Sequence, residues 1–370
     1  MRVGFDARWY NDSGVGTYVS ELLKAMASIH EDLELVVYED PENQVPGLTE
    51  LPVQRVALRS AKYSLSEQFE LARRQRQDKL DLFHSPFYVV PLAIRCPVVV
   101  TLHDLIPFLF SIDPWPKRFL VKMGYRLASR NASHIITVSR HTANDVAKVL
   151  KVPREKIAVV HNAASSEFHD RRTDAELMEL QDTFRIRPPY VVAASAWNWR
   201  TKNLGAALDA LSLAQQRSGR EFQTVVYGPP QGFQSLGGKG KYNHLDLLTT
   251  GHVKAHELGM IFRHAQFFIM PALYEGFGLP VLEAMACGCA VITSNGGSLA
   301  EVAGAGAQVF DPLDSNSMAE AAIELLCNPE VLEKWQQLAL QRSTDFSWTR
   351  AAQETISIYH RVNTQNIVRK

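Results

Sequence analysis

Glu275 and Glu283 stand with seven residues between them in the run M-P-A-L-Y-E-G-F-G-L-P-V-L-E-A-M-A-C-G, from Met270 to Gly288. The turn Gly276-Phe277-Gly278, followed by Leu279 and by Pro280 at a first helical position, predicts a strand over Phe267–Met270, a glycine loop and then a helix. Glycine at 276 and 278 lets the backbone bend sharply and approach a ligand with no side chain between. A helix starting there presents unpaired N–H groups and the positive end of its dipole, which suits a phosphate. Two acids beside an anion site are badly placed to neutralise it. As ionised carboxylates they only accept hydrogen bonds, and a sugar hydroxyl has a proton to give. A sugar joined through phosphates to a nucleoside makes both demands at once.

Other residues suit the same chemistry. In W-N-W-R-T-K-N, residues 197–203, Lys202 is a cation just past a predicted strand. Departure of a phosphate leaving group puts negative charge on its bridging oxygen, and a fixed ammonium stabilises that charge as it forms. Arg200 either shares this task or points to solvent, as most arginines do. His103-Asp104 closes the strand V-V-V-T-L. Residues just past the carboxyl end of a parallel strand line the crevice of an α/β sheet, so these two are site candidates; a satisfied core histidine is the alternative. Ser139 with Arg140, and Asn162, follow further strands in the same way. Ser13-Gly14-Val15-Gly16 sits between the first strand and the first helix; Gly14 and Gly16 form either a tight connection or a loop facing a ligand. Glu301 begins a short helix after Gly296-Gly297, as a cap or as a phosphate-side residue.

With E-G-F-G-L-P and E-A-M-A-C-G included, the stretch resembles the Glu-x7-Glu signature of retaining family 4 glycosyltransferases. The resemblance implies the GT-B fold, with two Rossmann-like parallel-sheet domains facing a cleft and a C-terminal helix crossing back to the first. It implies that Glu275 contacts the transferred sugar and Glu283 the nucleotide ribose. It further implies that Lys202 meets the diphosphate, that His103 contacts the sugar near the reacting carbon, and that Gly14 and Gly16 approach the donor. The opening D-A-R-x5-G-V-G-T-Y and H-D-L-I-P resemble the bacterial mannosyltransferase branch. That implies GDP-mannose as donor and a glycan or lipid-linked acceptor of polysaccharide assembly, with Asp104, Ser139 and Asn162 on the acceptor side. UDP-glucose, UDP-N-acetylhexosamine and dTDP-rhamnose suit the same anchors. A GT-B epimerase, a phosphorylase or a non-catalytic nucleotide-sugar-binding module are the rivals of other classes. The chain has no Asp-x-Asp triplet, which the other large glycosyltransferase fold uses to hold a divalent metal. The expectation is therefore catalysis with no metal and no cofactor beyond the nucleotide-sugar donor.

These residues need two scaffolds. At 370 residues the chain is too long for one core. Strands and helices alternate, the mark of parallel α/β architecture. Strands are expected near Arg2–Phe5, Glu34–Tyr38, Leu82–His84, Val98–Leu102, Ile135–Val138 and Ala158–Val160, and a second set near Tyr190–Ala194, Thr224–Tyr227, Phe267–Met270, Ala290–Thr293 and Gln308–Phe310. Residues 1–170 are expected as an N-terminal acceptor-side domain, 171–189 as a hinge, 190–346 as the donor domain and 347–370 as the returning helix. Lys and Arg total 39, as do Asp and Glu, so no overall field attracts nucleic acid. One local run departs from this balance. Lys117, Arg118, Lys122, Arg126 and Arg130 alternate with Phe119, Leu120, Met123, Tyr125 and Leu127, with no acid among them. It is either a solvated helix face or a peripheral contact with anionic lipid. Cys96, Cys287, Cys289 and Cys327 have neither metal-site nor disulfide spacing, and buried free thiols are expected. The first residues enter a strand directly and no apolar run is long enough to span a bilayer, so a cytoplasmic protein is expected.

Overall fold

The computed structural model describes residues 1–10, 13–29, 32–91, 94–111, 114–195, 199–236 and 240–369. It divides into two compact units, one of residues 1–162 with 347–370 and one of residues 163–346. The first holds strands β1 (Arg2–Asp6), β2 (Glu34–Glu39), β3 (Val53–Ala57), β4 (Leu82–Ser85), β5 (Val98–Leu102), β6 (His134–Thr137) and β7 (Ile157–Val159). Its helices are α1 (Ser13–Ile29), α2 (Leu65–Gln77), α3 (Ile106–Leu109), α4 (Trp115–Asn131) and α5 (Arg140–Val149). The second unit holds α6 (Asp174–Phe184), β8 (Tyr190–Ala194), α7 (Trp199–Lys202), α8 (Leu204–Ser218), β9 (Gln223–Tyr227), α9 (Pro230–Ser235) and β10 (Asp246–Gly251). It continues through α10 (Ala255–His264), β11 (Phe267–Met270), α11 (Leu279–Ala286), β12 (Ala290–Ser294), α12 (Leu299–Ala303), β13 (Gln308–Phe310), α13 (Ser315–Cys327) and α14 (Pro329–Ser343). The final helix, α15 (Trp348–Arg369), belongs to the first unit.

Both sheets are parallel throughout. Their orders are β3-β2-β1-β4-β5-β6-β7 and β10-β9-β8-β11-β12-β13. In each, the first strand is flanked by the second and by a later one, so the order reverses beside β1 and beside β8, where ligands of open α/β sheets bind. The central strands β5, β8 and β12 are buried along their whole length, as expected of a sheet covered on both faces. In the second unit Val191, Ala193, Ile269 and Ile292 pack against Leu208 and Leu211 of α8 and Met318 of α13. Each of the Val, Ile, Leu and Met side chains contributes ~1.5–3 kcal/mol by leaving water.

α15 lies against α1, where Tyr359 meets Nδ1 of His84 at 2.5 Å. The other ring nitrogen of His84 lies 2.8 Å from Oγ1 of Thr101, which in turn meets the Tyr18 hydroxyl at 2.8 Å.

Three features differ from the sequence expectation. Residues 171–189, expected as a hinge, carry α6, which Thr173 and Glu176 start with reciprocal capping bonds and which belongs to the second unit. Strands β3 and β10 were not expected; each lies at one edge of its sheet. Cys287 and Cys289 are free and buried, but Cys96 and Cys327 are only half-buried. Among the described residues no helix is long and apolar enough to cross a membrane.

Candidate functional site

In the second unit, Lys202 follows β8 and Glu275 follows β11, neighbouring strands at the reversal of strand order. Backbone bonds then draw the two loops together. Leu273 N–H donates to Thr201 O at 2.7 Å. Asn203, in the left-handed region at φ 55, turns the chain between α7 and α8 and donates its Nδ2 to Pro271 O and Pro312 O. The result is a Lys202 Nζ to Glu275 Oε1 contact of 2.7 Å, with both side chains largely withdrawn from water. Lys202 Nζ also sits 3.8 Å from Sδ of Met270. Arg200 lies in α7, but its side chain and the residues Trp197 and Asn198 fall outside the described residues.

The Glu275 loop is clamped from the far side. Ser298 donates both its backbone N–H and its hydroxyl to Glu275 O, each at 3.0 Å. Gly297 sits at φ 67, and a Cβ there would lie 2.3 Å from Glu275 O; one at Gly296 would lie 2.1 Å from Ala272 O. No side chain fits at either place. Gly278 caps α11 at φ 97, Leu279 opens the helix and Pro280 follows in its first turn. Gly276 is buried in the turn. Phe277, a donor-side candidate, is buried with its ring edge-on to Phe346 at 5.8 Å.

Glu283 lies one turn into α11 and is buried. Burial pushes its carboxyl up to about 7 from the ordinary 4.5, against the opposing pull of Lys202. At neutral pH it stands between acid and anion. Tyr227, at the carboxyl end of β9, has a buried hydroxyl with no hydrogen-bond partner. Burial, then the charges of Glu283 and Glu275, push that hydroxyl well above its usual range. Tyr227 was not among the sequence candidates, and a lone tyrosine at a strand end gives no signal by itself. Glu301 lies in α12, where its backbone oxygen accepts from Arg342 Nη2 at 2.7 Å.

In the first unit, His103 follows β5, and its Nε2 donates to Pro86 O at 2.9 Å. A carbonyl only accepts, so Nε2 carries the proton and Nδ1 has the lone pair. Burial holds the ring neutral, with its pKa down near 4. The Tyr18 ring meets it edge-on at 4.9 Å. Thr142 Oγ1 donates to His103 O at 3.3 Å, and Ser139 Oγ accepts from Thr142 N at 3.0 Å. His103 and Ser139 are thus joined through Thr142. Ser139 is fully buried as the cap of α5, while Arg140 starts that helix on the surface. Asp104 accepts from Ile106 N at 2.8 Å, forming the turn into α3. Asn162 is buried and its Oδ1 has no partner. Gly14 and Gly16 lie inside the first turns of α1 rather than in a loop before it. A Cβ on Gly16 would lie 1.8 Å from Tyr10 O, so close backbone packing demands that glycine.

Comparison with known proteins adds the following. Residues 13–168 match the family model described as Glycosyltransferase Family 4, and residues 188–328 match the model described as Glycosyl transferases group 1. O-antigen chain mannosyltransferase B of Escherichia coli is 25% identical over 95% of this chain and 96% of its own length. Serotype-specific mannosyltransferase WbdA of the same organism is 27% identical over 75% of this chain, which spans 36% of that longer protein. The structure of Anabaena HepE in complex with UDP and glucose superposes with a TM-score of 0.75 at 17% identity, covering 97% of this chain and 99% of that one. At that identity the match speaks to the two-sheet fold alone.

Proposed function

This chain belongs to the family 4 glycosyltransferases, and from that premise we propose that it moves mannose from GDP-mannose to a glycan or lipid-linked acceptor, retaining the anomeric configuration. The observation that carries this assignment is the Lys202–Glu275 contact at the strand-order reversal, with Glu283 one turn into the helix that leaves the glycine turn. The cation and the acid satisfy each other. A nucleotide sugar offers each a better partner. Its diphosphate takes Lys202, and the sugar hydroxyls take Glu275. Glu283, once ionised, accepts from the ribose hydroxyls, and the positive end of the α11 dipole faces the phosphate. His103 contributes a bare Nδ1, an acceptor for a sugar hydroxyl rather than a source of protons. No pair of carboxylates of the glycosidase kind is required, because the departing phosphate takes the acceptor's proton on the face it leaves. The mannosyl choice draws on the names of the two relatives and on the D-A-R and H-D-L-I-P strings.

The test is a thermal-shift screen with GDP, UDP, dTDP and ADP and their sugars, followed by NMR of the product. GDP-mannose should raise the melting temperature most, and the product should keep the donor's anomeric configuration. Inversion would overturn the retaining mechanism, and preference for UDP-glucose would overturn the donor. Transfer should continue in excess EDTA; a strict Mn²⁺ or Mg²⁺ requirement would contradict the role given to Lys202.

We further propose that α4 rests on anionic lipid. Trp115, Phe119, Met123 and Leu127 recur every fourth residue and are exposed, with Trp115 at 70% and neighbouring Leu120 at 69%. Arg118, Lys122, Arg126 and Arg130 run beside them in an adjacent row. An apolar stripe edged with cations fits the boundary of a negatively charged bilayer.

A further inference from the structure

We infer that the first unit carries a second binding site, a subsite for neutral sugar residues of the acceptor chain distant from its reacting end. This rests on the acceptor-glycan assignment above. The carboxyl ends of β1, β2 and β3 enclose a cavity of about 470 Å³, lined among others by Arg8, Asp40, Glu42, Arg59, Ser60 and Lys62. That volume is within the range of small-molecule sites, roughly 300–1,000 Å³.

Arg8 gives the cavity its character. It is 3% exposed. Its Nε donates to Asp6 Oδ1 at 2.8 Å, and its Nη2 donates to Asp6 Oδ2 and to Glu67 Oε1, both at 2.6 Å. Its Nη1 is buried and has no partner. Nη1 is sealed from solvent by its neighbours, so the guanidinium is a rigid, charge-balanced wall of the cavity rather than a donor to a ligand. Two carboxylates already balance the charge of Arg8, so an anion would gain little there.

The walls carry both partners that a hydroxyl uses. Asp40 accepts from Glu42 N and from Asn43 Nδ2, each at 3.0 Å, and each of its oxygens retains a second lone pair. Arg59 and Lys62 supply donors on the other side, with Nζ of Lys62 held 4.6 Å from the centre of the Trp9 ring. Alternating donors and acceptors around one cavity match a ring of hydroxyls better than they match a phosphate.

Position separates this site from the reacting groups. Between β1, which leads into Arg8, and β5 the sheet order places β4, so at least two strand spacings, about 10 Å, separate the cavity from the strand that carries His103. A saccharide bound there belongs to an inner residue of the chain being extended. The consequence is preference for longer acceptors.

The experiment compares methyl α-D-mannoside with an α-linked mannotriose as acceptor for wild type and for Ala61→Trp, which fills the cavity from an exposed position. Arg59→Ser is the second variant. Expected is a rise of about tenfold in KM for the trisaccharide, with KM for the monosaccharide and for the donor unchanged. Amide shifts at Ser60 and Ala61 on adding mannotriose to wild type, with no nucleotide sugar present, read the same site without turnover. Shifts without any transfer would keep the subsite and sink the donor assignment. Transfer without shifts and without an acceptor-length effect would sink the subsite and leave the donor assignment standing. Inorganic phosphate that shifts the same amides and competes with mannotriose would show an anion site and overturn the inference.

Discussion

Lys202 and Glu283 face opposite demands, and each makes a separate prediction. In the proposed mechanism Lys202 stabilises charge that appears only as the phosphate leaves, so Lys202→Met should lower kcat by about a hundredfold or more, roughly 3 kcal/mol of barrier, with a smaller change in KM. It also strips Glu275 of its 2.7 Å partner, so the cycle Lys202→Met, Glu275→Gln and the double variant should be strongly non-additive in stability. Burial of the Glu283 carboxyl costs the fold stability once it ionises. Its folded pKa of about 7 stands above the ordinary 4.5, so between those values the folded chain binds the extra proton. The stabilising effect of that proton is complete below pH 4.5 and is lost as pH rises through 7, a difference of roughly 3 kcal/mol by pH 8. Glu283→Gln should therefore raise the melting temperature at pH 8 and leave it nearly unchanged at pH 4. In wild type, donor kcat/KM should climb with pH through about 7 as the carboxylate forms; in the variant that climb should vanish. A melting temperature that falls at pH 8 would show that the buried acid is satisfied by a partner rather than strained by burial.

At the scale of elements, the loop between β11 and α11 is shaped by what presses on it. Gly297→Ala would place a methyl group against Glu275 O while forcing a left-handed φ on alanine. It should cost 2 kcal/mol or more and at least tenfold in turnover. Gly219→Ala is the control. Gly219 has φ 66 at the end of α8 with nothing within 4 Å of an added Cβ, so it should lose only about 1 kcal/mol and no activity. The same loop shows what a sequence does and does not disclose. Glu275, Glu283 and Lys202 are chemical residues at fixed spacing, and they can be picked out from their types. The Gly296-Gly297-Ser298 clamp and the Asn203 tether act through backbone atoms far off in sequence, and nothing local marks them. Two of the four edge strands, β3 and β10, were illegible for another reason, while β7 and β13 were expected. Val53–Ala57 reads V-Q-R-V-A and Asp246–Gly251 reads D-L-L-T-T-G; both are partly exposed. A strand with one open side lacks the continuous apolar run that gives β5 and β8 away. The polar stretch holding α6 misled in the same way, since only Leu180 of that helix is buried.

Across the whole molecule, equal numbers of acidic and basic residues leave no net charge, so the proposed attraction to a membrane rests on the local stripe on α4. At about 1 kcal/mol per basic residue near an anionic surface, replacing Arg118, Lys122, Arg126 and Arg130 by serine should abolish co-sedimentation with phosphatidylglycerol vesicles. Raised salt should weaken wild-type binding in step with screening. Equal sedimentation of the two proteins would mean that α4 is only a solvated face. The chain leaves its first unit near residue 162 and returns to it at 347. The proposed donor residues Lys202, Glu275 and Glu283 all belong to the second unit, and His103, Ser139 and Asn162 to the first. Grip on the nucleotide sugar should accordingly be a property of the second unit's side chains. The most direct measurement is calorimetric titration of GDP-mannose into wild type and into the paired variant Lys202→Met/Glu283→Ala at pH 8. Binding by wild type with at least a hundredfold loss in the variant is the predicted result; equal affinity in both proteins would contradict the assignment of these side chains to the donor.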